Sequence, residues 1–213
     1  MIKAGVIGHL IAHSKSPRIH GYWLQHFGIA GEYKAYDIPP AMLKDGASDL
    51  VQQGLRGFNV TLPHKQAIMD LCDDVQDDAQ KIGAVNTVVI DAHGRLTGRN
   101  TDAFGFRENL KETLPDFDAT GTTALVIGAG GAARAVLYAL AKLGVSEIRL
   151  ANRTFETARN MADLYRNSGA HAIAWESRQD GIEGADLIIN TTSLGMTGQP
   201  PLDLPLDNMK DGA

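Results

Sequence analysis

The chain has 213 residues, 44% hydrophobic and 21% charged, the balance of a globular protein able to bury a sizeable core in one or two domains. Its formal net charge of −5 argues against a surface that tracks a polyanion, so no nucleic-acid partner is expected. The single cysteine, Cys72, excludes an internal disulfide and a cysteine-rich zinc site, fits a reducing compartment and leaves no metal expected.

The apolar run from Ala4 to Ala12 is interrupted by His9 and followed by His13 and Lys15. That is too short and too polar for a membrane span or a signal peptide, and it reads as a buried strand entering a loop. No membrane partner and a cytoplasmic setting are expected.

Short apolar runs then alternate with helix-like stretches, the pattern of an α/β protein with mostly parallel sheets. Lys3–Ile7, Glu32–Ile38, Leu55–Thr61 and Ala84–Asp91 read as strands, with helices over Pro17–Phe27, Ala41–Gln53 and Pro63–Cys72. Ser16 can cap a helix whose first position is Pro17, and Gly28 and Gly54 stand where left-handed caps would end helices. A turn at Ala92–Arg95 leads to a short return strand, and an amphipathic helix follows from Ala103 to Leu114. After a turn-rich linker the β-α rhythm restarts: strands at Ala124–Ile127, Glu147–Ala151, His171–Trp175 and Asp186–Asn190, helices at Ala132–Leu143 and Phe155–Arg166. The parse is a first domain over 1–102, a linking helix and linker over 103–120, and a second domain over 121–213.

The strand Ala124–Ile127 runs straight into Gly128-Ala129-Gly130-Gly131-Ala132-Ala133 and a helix, a G-x-G-x-x-A dinucleotide fingerprint. Gly128 permits the tight turn, Gly130 lets backbone approach a pyrophosphate, and Ala133 allows close helix–strand packing. The helix N-terminus adds free amides and the positive end of a dipole. At the tip of the next strand an acid would bond the ribose hydroxyl of NAD; this chain instead has Asn152-Arg153-Thr154. Arg153 is suited to gripping a phosphate and Thr154 to adding a hydroxyl contact, so NADP is the expected cofactor. The plainer alternative is a solvated arginine beside a threonine that only caps the next helix.

In the first half four polar clusters stand at strand ends: His13–Pro17, Asn59–Lys65, Gly83–Thr87 and Gly98–Asp102. Ligands of open α/β sheets bind beyond the carboxyl ends of strands, so such clusters can converge on one crevice. Each also has a structural explanation. Ser16 can serve only as a cap, Asn86 can bond a neighbouring loop, and Asp102 can cap the helix from Ala103. Lys65, in the first turn of the expected helix, would oppose its dipole.

These strings resemble the shikimate dehydrogenase family from Gly5 to Met196. His13-Ser14-Lys15-Ser16-Pro17 is similar to its N-terminal substrate motif, which implies that Ser14 and Ser16 bond a substrate carboxylate. Asn59-Val60-Thr61 with Pro63 and Lys65 is similar to its N-V-T-x-P-x-K motif. The resemblance makes Thr61 a substrate contact and Lys65 the catalytic lysine. Asn86 and Asp102 match ring-hydroxyl contacts, Asp102 doubling as the lysine's partner. The stretch Asn190–Met196 resembles the loop closing over nicotinamide, which implies roles for Thr191, Ser193 and Met196. The pattern departs from the family at His9-Leu10, at Gly21 and at Ser193, where proline is frequent. The family continues past the position of Ala213 with a strand, a substrate-contacting tyrosine and helices carrying a substrate-contacting glutamine, so the second domain is expected to be an incomplete Rossmann-type fold.

The implied activity is NADPH-dependent reduction of 3-dehydroshikimate to shikimate by a monomer or homodimer. Lys65 would stabilise and protonate the developing oxyanion while Asp102 keeps it charged. Alternatives are a quinate/shikimate dehydrogenase with broader substrate or NAD use, and a non-catalytic module that binds dinucleotide or substrate.

Overall fold

A computed structural model describes residues 1–210. The chain divides into two compact units, Met1–Thr101 and a second beginning at Asp102.

The first unit runs β1 (Ile2–Gly8), α1 (Ser16–His26), β2 (Gly31–Asp37), α2 (Leu43–Gln52), β3 (Gly57–Val60), β4 (Asp74–Val75), α3 (Asp77–Ile82), β5 (Thr87–Ile90) and β6 (Leu96–Arg99). Its sheet has the order β2-β1-β3-β5-β6-β4, with β5 antiparallel to both β3 and β6 and the remaining pairs parallel. Period-two alternation assigns the faces. Phe58, Val60, Val88 and Ile90 point into a core with Ile7, against which α2 lays Leu43, Ala47 and Leu50 at helical spacing. The residues between them, Gly57, Asn59, Thr87 and Val89, line a groove on the other face that also includes His20 and Leu24 of α1. Both α1 and α2 end in Schellman turns: Gly28 and Gly54 have φ of 63° and 78°, and the next amides, Ile29 and Leu55, donate back to Leu24 and Leu50.

The expected helix Pro63–Cys72 does not form. Thr61–Gln66 is a turn, followed by a short 3-10 helix at Ala67–Leu71. The Lys65 carbonyl, which an α-helix would pair four residues onward, instead accepts the Val85 amide at 2.7 Å. Lys65 therefore stands on a loop and not in the first turn of an α-helix. The sequence reading also passed over β4 and α3. β4 is two residues long and exists only because Asp74 and Val75 find Thr97 and Gly98 on β6. The strand expected over Ala84–Asp91 is shorter, Thr87–Ile90, and the Val85 amide before it bonds the loop at Lys65 instead of a ladder.

The second unit runs α4 (Asp102–Thr113), β7 (Thr123–Ile127), α5 (Gly131–Leu143), β8 (Glu147–Ala151), α6 (Phe155–Asp163), β9 (Ala170–Ile173) and β10 (Leu187–Asn190). All pairs in its sheet are parallel, in the order β10-β7-β8-β9. Strand β7 is apolar from Ala124 to Ile127 and loses both faces to the interior, Val126 toward Leu137, Leu140 and Met161, Leu125 and Ile127 toward Ile182 and Ala185. The chain moves outward from β7 through β8 to β9, then returns to place β10 on the other side of β7. The carboxyl ends of β7 and β10 therefore frame a topological switch point, the crevice where α/β sheets bind ligands.

Candidate active site

In the first unit, backbone bonds tie the polar clusters into one neighbourhood. Thr61 donates to Ile7 at 2.9 Å and His9 to Leu62 at 3.0 Å, so the loops after β1 and β3 meet. Gly8 lies between them: a Cβ there would stand 2.6 Å from the Thr61 methyl and 2.5 Å from Ile11. The Lys65–Val85 bond brings in the loop before β5, and the Asn86 amide donates to Arg99 at the end of β6 at 3.0 Å. His64, 1% exposed, anchors the turn by placing Nε2 2.7 Å from the Ile38 carbonyl, which requires that nitrogen to carry the proton.

Ser14 lies on the loop into α1 and Ser16 is that helix's first residue. Lys15, not Ser16, takes the N-cap position, and the Ser14 hydroxyl accepts the Ser16 amide at 3.3 Å. Thr61 and Lys65 are half-buried. Asn86 is buried and anchored in the way its structural reading anticipated. Its Nδ2 donates to the Thr101 hydroxyl at 3.0 Å, and its Oδ1 accepts the Thr101 amide at 3.0 Å and the Thr87 hydroxyl at 2.9 Å. Sequence reasoning missed Tyr33, which stands behind it. Tyr33 donates its hydroxyl to Asn59 Oδ1 at 2.6 Å, and Asn59 Nδ2 donates to Thr87 at 3.1 Å. Nothing in the local sequence around Tyr33 marks it, because its partners come from other strands. Cys72 takes no visible chemical role: burial pushes its thiol up to about 11, which leaves it protonated.

In the second unit the fingerprint adopts the expected geometry. Gly128 has φ of 102°, and a Cβ on it would meet Thr191 Oγ1 and the Thr192 methyl, each at 2.7 Å. Ala133 is fully buried against the sheet. Gly130 differs. Its φ of −91° suits any residue, and an added Cβ would meet nothing within 4 Å. Neither backbone nor packing requires glycine there, so the space kept open is outside the fold, over the first amides of α5. That cradle fits a pyrophosphate.

At the end of β8, Asn152 folds its Nδ2 onto the Thr154 carbonyl at 3.0 Å, while Arg153 and Thr154 are exposed. Thr154 takes the N-cap position of α6, but no side-chain cap bond forms. The loop after β10 is internally braced. Asn190 Oδ1 accepts the Thr192 amide at 2.9 Å, and its Nδ2 donates to Leu194 at 3.0 Å. Thr191 spends its hydroxyl proton on the Ile127 carbonyl at 2.7 Å, beside the glycine turn, whereas Ser193 and Met196 are exposed. Among the described residues no group of at least three His, Cys, Asp or Glu side chains could hold a metal, and no helix is long and apolar enough to cross a membrane.

Comparison with known proteins bears on both units. Residues 6–88 match the profile of the shikimate dehydrogenase substrate binding domain, and residues 109–196 that of shikimate / quinate 5-dehydrogenase. The chain belongs to the shikimate dehydrogenase family. Among its relatives in that family, the NADP(+) shikimate dehydrogenase of Paramagnetospirillum magneticum is 50% identical over 204 residues, 95% of this chain and 73% of that protein. The shikimate dehydrogenase of Aquifex aeolicus superposes with a TM-score of 0.89 at 36% identity, covering 100% of this chain and 76% of that one. That of Thermus thermophilus, solved with NADP(H) and shikimate, gives 0.82 at 37% identity, covering 99% and 76%. Family membership agrees with the α/β architecture and the Rossmann-type second unit read from the sequence.

Proposed function

We propose that this chain is an NADPH-dependent dehydrogenase that reversibly reduces 3-dehydroshikimate to shikimate. The observation that carries the reading is the 50% identity over 95% of the chain to an NADP(+) shikimate dehydrogenase. The open cradle at Gly130 and the exposed Arg153 at the tip of β8 support a phosphorylated dinucleotide. When bound, NADPH supplies the hydride. In this reading Ser14 and Ser16 hold the ring carboxylate through neutral hydroxyls, and Thr61 and Asn86 contact ring hydroxyls. Lys65 presents an ammonium to the ketone oxygen, stabilises the charge that develops there and delivers its proton. Asp102 keeps that ammonium charged and oriented. Arg153 holds the 2′-phosphate, with Asn152 and Thr154 shaping its pocket; the amides of Ala129, Gly131 and Ala132 face the pyrophosphate, and Thr191, Ser193 and Met196 border the nicotinamide. A cytoplasmic setting suits a chain whose single cysteine, Cys72, is a free thiol.

The test is a steady-state assay of shikimate and quinate oxidation with NADP+ and with NAD+. Preference for shikimate with NADP+ supports the reading. Preference for quinate or NAD+ replaces it with the broader quinate/shikimate activity that the second profile's description covers. Tight binding of NADP+ and shikimate with no turnover would make the chain a binding module.

A further inference from the structure

Three side chains, Tyr33, Asn59 and Thr87, join the groove face of the first sheet to Asn86. The Tyr33 hydroxyl lies 2.6 Å from Asn59 Oδ1, Asn59 Nδ2 lies 3.1 Å from the Thr87 hydroxyl, and that hydroxyl lies 2.9 Å from Asn86 Oδ1. The protons in this line have only one consistent sense. A carbonyl oxygen cannot donate, so Tyr33 must donate to Asn59. The Asn59 amide must then present its nitrogen to Thr87, and a second bond from that nitrogen to the Asn86 backbone carbonyl at 3.4 Å agrees. Thr87, having accepted from Asn59, has its single proton left for Asn86 Oδ1. On the far side the Thr101 amide, which can only donate, meets the same oxygen at 3.0 Å. The Thr87 hydroxyl and the Thr101 amide thus both donate to Asn86 Oδ1.

We propose that Tyr33, Asn59 and Thr87 are positioning residues that hold the Asn86 amide with its oxygen turned to the protein, so that a ring hydroxyl reaching Asn86 is read as an acceptor by the amide N–H. The proposal rests on the reading of Asn86 as a substrate contact. It assigns a specificity role to Tyr33, which lies outside the family motifs, and to Asn59 and Thr87, for which the motifs imply no role. Register makes the arrangement local to this fold: Tyr33 pairs with Ala4 and Ala4 with Gly57, so the tyrosine spans β1 to reach the residue two places along β3. The His20 ring stacks on Tyr33 at 4.0 Å and 3°, fixing the phenol in place. Burial pushes the Tyr33 hydroxyl up to about 12 and lowers His20, so the pair keeps one protonation state through neutral pH and the proton sense does not reverse.

A purely architectural network would hold the strands together without affecting ligand choice. Near-isosteric variants separate the two. Thr87→Val removes the hydroxyl and Thr87→Ser keeps it; Tyr33→Phe removes the first donor. The expected result is a rise in the shikimate KM of roughly fivefold to tenfold for Thr87→Val and roughly threefold for Tyr33→Phe, the scale of one lost or misdirected hydrogen bond. Thr87→Ser should stay within about twofold of the parent, the NADP+ KM should not move, and kcat should fall less than the shikimate affinity. Without any ligand, the Asn86 side-chain amide signals in a 15N-correlated NMR spectrum should shift in Thr87→Val and not in Thr87→Ser. An unchanged shikimate KM in Thr87→Val, or unmoved Asn86 signals, overturns the proposal. Asn86→Ala runs beside them. If it leaves the shikimate KM unchanged, the substrate reading of Asn86 fails whatever the network does. If it raises KM and Thr87→Val does not, the network alone is wrong.

Discussion

Arg153 stands exposed at the tip of β8, where an acid would select NAD, and the neighbouring Asn152 and Thr154 bond each other and not its guanidinium. A charged contact to one phosphate contributes on the order of 1.5–3 kcal/mol. Arg153→Ala should therefore weaken NADPH by roughly tenfold or more and leave NADH almost unchanged, which fluorescence titration of the two cofactors checks. Equal losses would remove Arg153 from the 2′-phosphate. Lys65 poses a different question, because its charge matters most when the ketone oxygen becomes anionic. Lys65→Ala should cut turnover about a hundredfold, the usual scale for an acid–base group, with a much smaller loss of shikimate binding. If Asp102 acts through Lys65, the double variant should be scarcely slower than Lys65→Ala alone. Additive losses in that cycle would show that the two act separately.

At the level of the element, the turn between β7 and α5 contains two glycines that serve different ends. Gly128 is demanded by the fold: its φ is 102°, and Thr191 and Thr192 from the loop after β10 pack where a side chain would be. Gly130 has an ordinary φ and open space beside it. Gly128→Ala should therefore destabilise the second unit by about 1–3 kcal/mol as well as abolishing dinucleotide binding. Gly130→Ala should change stability by no more than about 1 kcal/mol, as at other N-caps, yet weaken NADP+ severely. Urea unfolding beside NADP+ titration distinguishes the two, and a Gly130→Ala protein that binds NADP+ normally would refute the cradle. The turn at Thr61–Gln66 shows why the helix expected over Pro63–Cys72 does not form. Its apolar spacing suits a helix, but the Lys65 carbonyl is taken by Val85, a residue far along the chain.

At the scale of the whole molecule, each unit has its own core, one around Ile7, Phe58 and Val88, the other around Val126, Leu137 and Ile148. The proposed dinucleotide contacts fall in the second unit. NADP+ at a hundred times its dissociation constant should add about 2.7 kcal/mol to that unit's stability. Hydrogen exchange should show the added protection in β7, α5 and β8 first; protection confined to the first unit would contradict the cofactor placement. The alternation of short strands and helices, the glycine turn after β7 and the helix-ending Gly28 and Gly54 were legible in the sequence, because each depends on neighbours within a few residues and on periodicity. The linear motifs likewise marked Lys65, Asn86 and Arg153. What the chain order could not supply was contact between distant strands. The two-residue β4, the loop conformation of Lys65, the anchoring of Asn86 by Thr101 and the line from Tyr33 through Asn59 and Thr87 all depend on hydrogen-bonding groups brought together only when the sheet adopts its register. Local periodicity determined where the longer strands are; the pairing of those strands decided which polar atoms meet, because a hydrogen bond needs its partner within about 3 Å and sequence separation carries no such distance.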